Sequence, residues 1–153
     1  MAENRRLMHG SCTAVWQVLS DGFTYSDWVV GTSAIRDVDE AWPAVGSALH
    51  YRIGRGRLSH EGHTEVQSME PGRRLELEAH AWPVGTARID LRLEDAADGC
   101  LVTIVEHPNS GLGSLLHNPV GDLLLKVRNT ETLRRLERLA RQPSTAHRQA
   151  PQR

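Results

Sequence analysis

Arg74-Leu-Glu-Leu-Glu-Ala-His80 and Ala87-Arg-Ile-Asp-Leu-Arg-Leu-Glu94 decide the fold. In both stretches apolar and polar residues alternate, the pattern of a strand with one face on a core and the other in water. Leu75, Leu77 and Ala79 fall on one face of the first, and Ile89, Leu91 and Leu93 on one face of the second. Keeping the two apolar sets together requires opposed residues of equal parity. An even-length tight turn is thereby excluded, and Pro83-Val84-Gly85 is expected as a three-residue loop, with Pro83 at the first turn position and Gly85 in the left-handed one. This register sets Trp82 opposite Thr86, Glu76 opposite Arg92 and Glu78 opposite Asp90.

Outward from this hairpin, further strands are expected at Leu7 and over Ser33–Val38, Ala48–Ile53, His63–Glu70 and Leu101–His107. Turn signals at Gly46, Gly54-Arg-Gly56, Pro71-Gly72 and Asp98-Gly99 separate them. Short connections imply antiparallel order, and about six or seven strands must twist and curl. Ser11 and the run Thr13–Leu19 predict a short first helix, with another helical turn or two between Phe23 and Trp28. Asn118 is the expected N-cap of a long helix beginning at Pro119 and reaching about Arg141. That helix carries two apolar stripes on nearly opposite sides. One is Val120, Leu123, Leu124 and Val127; the other is Leu125, Leu133, Leu136 and Ala140. Its first half is therefore expected to be enclosed on both sides.

At 153 residues the chain suits one domain, read as residues 1–142, and the aperiodic segment 143–153 is expected to be a disordered tail. A hydrophobic share of 39% supplies a core, and a formal charge of -1 offers no field to hold nucleic acid. The N-terminal residues lack a secretory apolar region, and no run of ~18 apolar residues follows to insert into a membrane. The expected location is the cytoplasm. Cys12 and Cys100 have no Cys-x-x-Cys spacing and are read as reduced thiols.

The segments Ala14-Val-Trp-Gln-Val-Leu-Ser-Asp21, Trp28-Val-Val-Gly31, Ile35-Arg-Asp-Val38 and Trp42-Pro-Ala-Val-Gly46 resemble the START/Bet v 1-like (SRPBCC) superfamily. Within it they look most like bacterial polyketide cyclase/dehydrase-related proteins. Glu70-Pro-Gly-Arg-Arg-Leu75, Gly99-Cys-Leu-Val-Thr103 with Glu106, and Arg128-Asn129 with Leu133 and Leu136 are similar to the same pattern, so the resemblance spans about residues 5–140. It implies an α+β helix-grip fold, a curved antiparallel sheet wrapped around a long C-terminal helix. It also implies a cavity between them for an apolar or amphipathic small molecule. Such folds host many functions, so the function has to be argued from the site.

Four tryptophans stand beside one phenylalanine and two tyrosines. Trp16 reads as helix packing, while Trp28 and Trp42 are candidates to line an apolar pocket with Leu77, Ile89, Leu91, Ile104 and Leu125. Glu106 shares strand parity with Val102 and Ile104, and the resemblance turns that face toward the helix. A carboxylate there is a candidate general acid or base, or a handle for a ligand hydroxyl; the alternative is a strand-end charge in solvent. Asn129, amid Leu125, Leu133 and Leu136, must bond a ligand or the protein itself. His50 and Arg52 are expected on the outer face, opposite to Leu49, Tyr51 and Ile53. His60-Glu-Gly-His63 reads as a solvated turn, since no third or fourth metal ligand follows at suitable spacing. Gly54-Arg-Gly56 lacks the context of a nucleotide loop, and no hydrolase signature occurs, so neither metal nor cofactor is assigned. The leading expectation is a small-molecule binding domain, as monomer or homodimer. A cyclase- or dehydratase-like enzyme using Glu106 is the alternative, and a protein-interaction module with a filled core is the third.

Overall fold

A computed structural model describes residues 1–81, 85–109 and 118–142. Seven strands form one antiparallel sheet in the order β1-β7-β6-β5-β4-β3-β2. They are β1 (Ala2–Met8), β2 (Thr32–Val38), β3 (Ala48–Ile53), β4 (His60–Glu70), β5 (Arg74–Ala81), β6 (Gly85–Ala96) and β7 (Gly99–Pro108). From β2 onward the chain meanders between neighbours. The step from β1 to β2 instead crosses from one sheet edge to the other, through α1 (Cys12–Ser20), a 3-10 turn at Gly22–Thr24 and α2 (Tyr25–Trp28). The long helix α3 (Pro119–Arg141) follows β7.

The helix ends are where capping chemistry puts them. Ser11 Oγ accepts from Ala14 N at 3.1 Å, and Asn118 Oδ1 accepts from Gly121 N at 2.9 Å with Pro119 in the first turn. The inner face of the sheet is built from the alternating residues: Leu75, Leu77, Leu91, Leu93, Val102 and Ile104 are all buried. They meet Val15 and Leu19 of α1 and Leu133 and Leu136 of α3 in one core. At the β6–β7 turn Gly99 has φ +153, and a Cβ there would overlap the Met8 carbonyl, so only glycine lets β1 close onto this corner.

Four expectations are corrected. First, the central hairpin pairs Ala81 with Gly85, His80 with Thr86 and Glu76 with Asp90, two residues away from the predicted register. Parity survives, so the apolar sets still share the inner face; residues 82–84, Trp82 among them, lie outside the described residues. The pairing sets Glu76 against Asp90, and Arg74 relieves the repulsion by contacting Glu76 Oε2 at 3.2 Å and both Asp90 oxygens at 3.0 and 3.1 Å. Second, Cys12 and Cys100 are not free thiols: their Cα atoms stand 5.0 Å apart, and a disulfide ties the start of α1 to β7. Third, the helix stripe Val120, Leu123, Leu124 and Val127 is not enclosed; each residue is between 59% and 67% exposed. Only the opposite stripe faces the core. Fourth, His60–His63 is not a turn but the start of β4. The expected tail 143–153 lies outside the described residues. Among the described residues no helix is long and apolar enough to cross a membrane.

Candidate functional site

Along β5 and β6 the inward residues shrink toward the hairpin end. The cross-strand rows run Leu75–Leu91, Leu77–Ile89, Ala79–Ala87 and Ala81–Gly85. The last two rows hold almost no side-chain volume, so the curled sheet cannot be filled there. A hollow of about 330 Å³ is left between the sheet, α2 and the first half of α3. Its wall is mostly carbon, from Trp28, Leu49, Leu77, Ile89, Leu91 and Leu125 besides those small residues. That volume is at the lower end of the range for small-molecule sites.

A few polar groups border it as well. Glu106 sits on β7 in the cross-strand row Leu77–Ile89–Glu106–Ala2 and is 7% exposed. Arg128 lies one helical turn beyond Leu125 on α3, and its Nη1 donates to Glu106 Oε1 and Oε2 at 3.1 and 3.0 Å. Its Nε donates to the Val30 carbonyl at 3.0 Å, while its Nη2 has no partner among the described residues. On β3 and β4, Thr64 Oγ1 donates to the Tyr51 hydroxyl at 3.0 Å. Burial pushes the Tyr51 phenol above the ordinary tyrosine range, against the opposing pull of Thr64 and Arg128, and Glu106 adds to the rise. Tyr51 therefore keeps its proton at neutral pH, and its contact to the His63 carbonyl is long, at 3.4 Å. A hydroxyl, a guanidinium and a carboxylate thus border one carbon-lined space.

Of the residues singled out in the sequence, Trp28, Leu77, Ile89, Leu91, Leu125 and Glu106 line the hollow. Trp42, Ile104 and Asn129 do not. Trp42 is packed edge-on to Tyr25, and its Nε1 donates to the Leu19 carbonyl at 3.2 Å, so it closes the end of α1. Ile104 belongs to the solid core. Asn129 is 1% exposed, and its Nδ2 has no hydrogen-bond partner among the described residues. Tyr51, Thr64 and Arg128 were not singled out as site residues. Parity already placed Tyr51 inward with Leu49, and Arg128 follows Leu125 by three positions, which puts both on one helix face. Nothing local told that they would border one space.

A curled seven-stranded antiparallel sheet closed by one long C-terminal helix defines a helix-grip protein. The chain belongs to the family described as polyketide cyclase / dehydrase and lipid transport, whose sequence profile matches residues 3–141. Compared by sequence with curated proteins, it matches none. Among solved structures, protein CV1439 from Chromobacterium violaceum superposes with a TM-score of 0.67 at 17% identity, covering 90% of this chain and 94% of that one. Protein NE0264 from Nitrosomonas europaea gives 0.68 at 17% identity over 92% and 93%. The di-domain ARO/CYC StfQ from the steffimycin biosynthetic pathway gives 0.68 at 10% identity, covering 90% of this chain and 49% of StfQ. At such identities the likeness shows the fold.

Proposed function

We propose that this domain binds a largely apolar small molecule, aromatic or polyketide/lipid-like, carrying at least one polar oxygen. The observation that carries the reading is the carbon-lined hollow bordered by a few polar groups, Tyr51, Thr64, Glu106 and Arg128 among them. Burial of the rings would supply most of the affinity, while Tyr51, Arg128 Nη2 and Glu106 would select a carbonyl or hydroxyl and fix its orientation. The family description, naming both cyclases and lipid transport, and the biosynthetic context printed for StfQ agree with such a ligand.

A second reading is a cyclase- or dehydratase-like enzyme, favoured by a protonated Tyr51 beside a buried Glu106. Tyr51 would donate to a carbonyl oxygen and Glu106 would accept a proton from carbon. Both Glu106 oxygens contact Arg128, so proton removal has to compete with that ion pair, and binding ranks first.

Calorimetric titration with 2-naphthol and 2-methylnaphthalene tests the reading, because the two share a shape and differ in the hydroxyl. About tenfold tighter binding of the naphthol is expected, equivalent to ~1.4 kcal/mol. A Glu106→Gln/Arg128→Met double variant, which leaves no charge uncompensated, should reduce that preference and keep the methylnaphthalene affinity. Equal binding of both compounds to the wild type, or no saturable binding, would count against the proposal.

A further inference from the structure

The outer face of the sheet carries a feature that the hollow does not use. His50 on β3 lies directly opposite His63 on β4, which lies directly opposite His80 on β5. The His50 and His63 rings are 6.0 Å apart at 35°, and those of His63 and His80 are stacked at 4.7 Å. His80 is held by Glu78, at 2.8 Å. The side chains of His50 and His63 make no hydrogen bond among the described residues, and both border a surface groove with Arg36, Asp37 and Glu61.

We propose that His50 and His63 form a cross-strand chelate for a divalent transition metal, a site separate from the hollow on the other side of the sheet. Two imidazoles sharing an ion at metal–nitrogen distances of ~2.0–2.1 Å have ring centres roughly 4.5–6 Å apart, so the observed 6.0 Å is within chelating reach once ring nitrogens turn toward a shared ion. Ligation takes place through the neutral imidazole nitrogen. The local charge is mixed but tilts acidic. Asp37 is directly opposite His50, and Glu65 and Glu78 lie on the same outer face. Arg36 is neutralised by Glu61, while Arg52 stands on the outer face of β3. Among the described residues no three metal-binding side chains are already gathered around one point, so the remaining coordination positions belong to water. A two-imidazole site favours copper(II) over nickel(II) and zinc(II).

The test is calorimetric titration of untagged protein with copper(II) and nickel(II) salts in a non-chelating buffer, alongside His50→Ala, His63→Ala and a control, His107→Ala. One ion per chain is expected, with affinity falling about tenfold or more in each of the first two variants and unchanged in the control. The copper(II) electron paramagnetic resonance spectrum should show nitrogen hyperfine structure from two imidazoles. Thermal melts of the metal-free variants separate lost ligation from lost folding. Unchanged affinity in folded His50→Ala or His63→Ala, equal loss in His107→Ala, or a spectrum without imidazole nitrogen would overturn the proposal.

Discussion

Glu137 shows how much one side chain can hold. It is 7% exposed on α3, its Oε1 accepts from Arg6 Nη2 at 3.0 Å, and its Oε2 accepts from the His9 N–H at 3.0 Å. Helix, edge strand and the turn into α1 thus meet on one carboxylate. Burial alone would raise its pKa, but the bonds from Arg6 and His9 outweigh burial and leave it lowered. A lowered folded-state pKa stabilises the fold above the unfolded value and loses that contribution as pH falls toward the folded one. Glu137→Gln should therefore cost about 1–3 kcal/mol at neutral pH, measured by urea titration, and show a smaller deficit against wild type below about pH 4. A deficit that stayed constant down to pH 3 would place the effect in packing rather than charge. Residue-scale features of this kind were the least legible in the sequence. Cys12 and Cys100 are 88 positions apart, and local spacing rules for metal or redox cysteines have no access to a pair that exists only once β1 has docked on β7. Glu106 was recognisable because strand parity is local; its partner Arg128 was not, because that contact depends on how far α3 slides along the sheet.

At the scale of elements, α3 was legible in extent and ambiguous in orientation. Asn118 and Pro119 mark its start, and both apolar stripes are plain in the periodicity. Which stripe faces the sheet depends on tertiary anchors. Asn4 Nδ2 donates to the Lys126 carbonyl and to Thr130 Oγ1, each at 2.9 Å, and Thr132 Oγ1 accepts from Val30 N at 3.3 Å. These bonds turn Leu125, Leu133 and Leu136 inward and leave Val120, Leu123, Leu124 and Val127 outside. Leu136→Ala should accordingly cost about 2–5 kcal/mol, because the residue is 0% exposed in the core. Leu123→Ser should change stability by no more than about 0.5 kcal/mol. Chemical unfolding of the two variants compares them directly, and a reversed order would mean that the helix lies with its other face inward. The hairpin register shows a similar limit. Reading Pro83-Val84-Gly85 as the loop put the alignment two residues off, because Gly85 pairs with Ala81, and in the folded sheet the Arg74 and Arg92 side chains reach Asp90.

For the whole molecule, the apolar alternation and the resemblance made the helix-grip architecture legible. The hollow itself comes from volume, since Ala79–Ala87 and Ala81–Gly85 leave the hairpin end of the curled sheet thinly filled. The sequence shows these small residues, but only the register makes them neighbours. An apolar ligand is expected to occupy this space and not the exposed stripe of α3. Methyl-labelled NMR during titration with 2-naphthol tests it most directly, because the two surfaces carry different aliphatic residues. Saturable one-to-one shifts are expected at Leu77, Ile89, Leu91 and Leu125, with Val120, Leu123, Leu124 and Val127 unmoved, and an Ala87→Phe variant that fills the hollow should abolish them. Shifts confined to the Val120–Val127 stripe, or an unchanged response in folded Ala87→Phe, would contradict it.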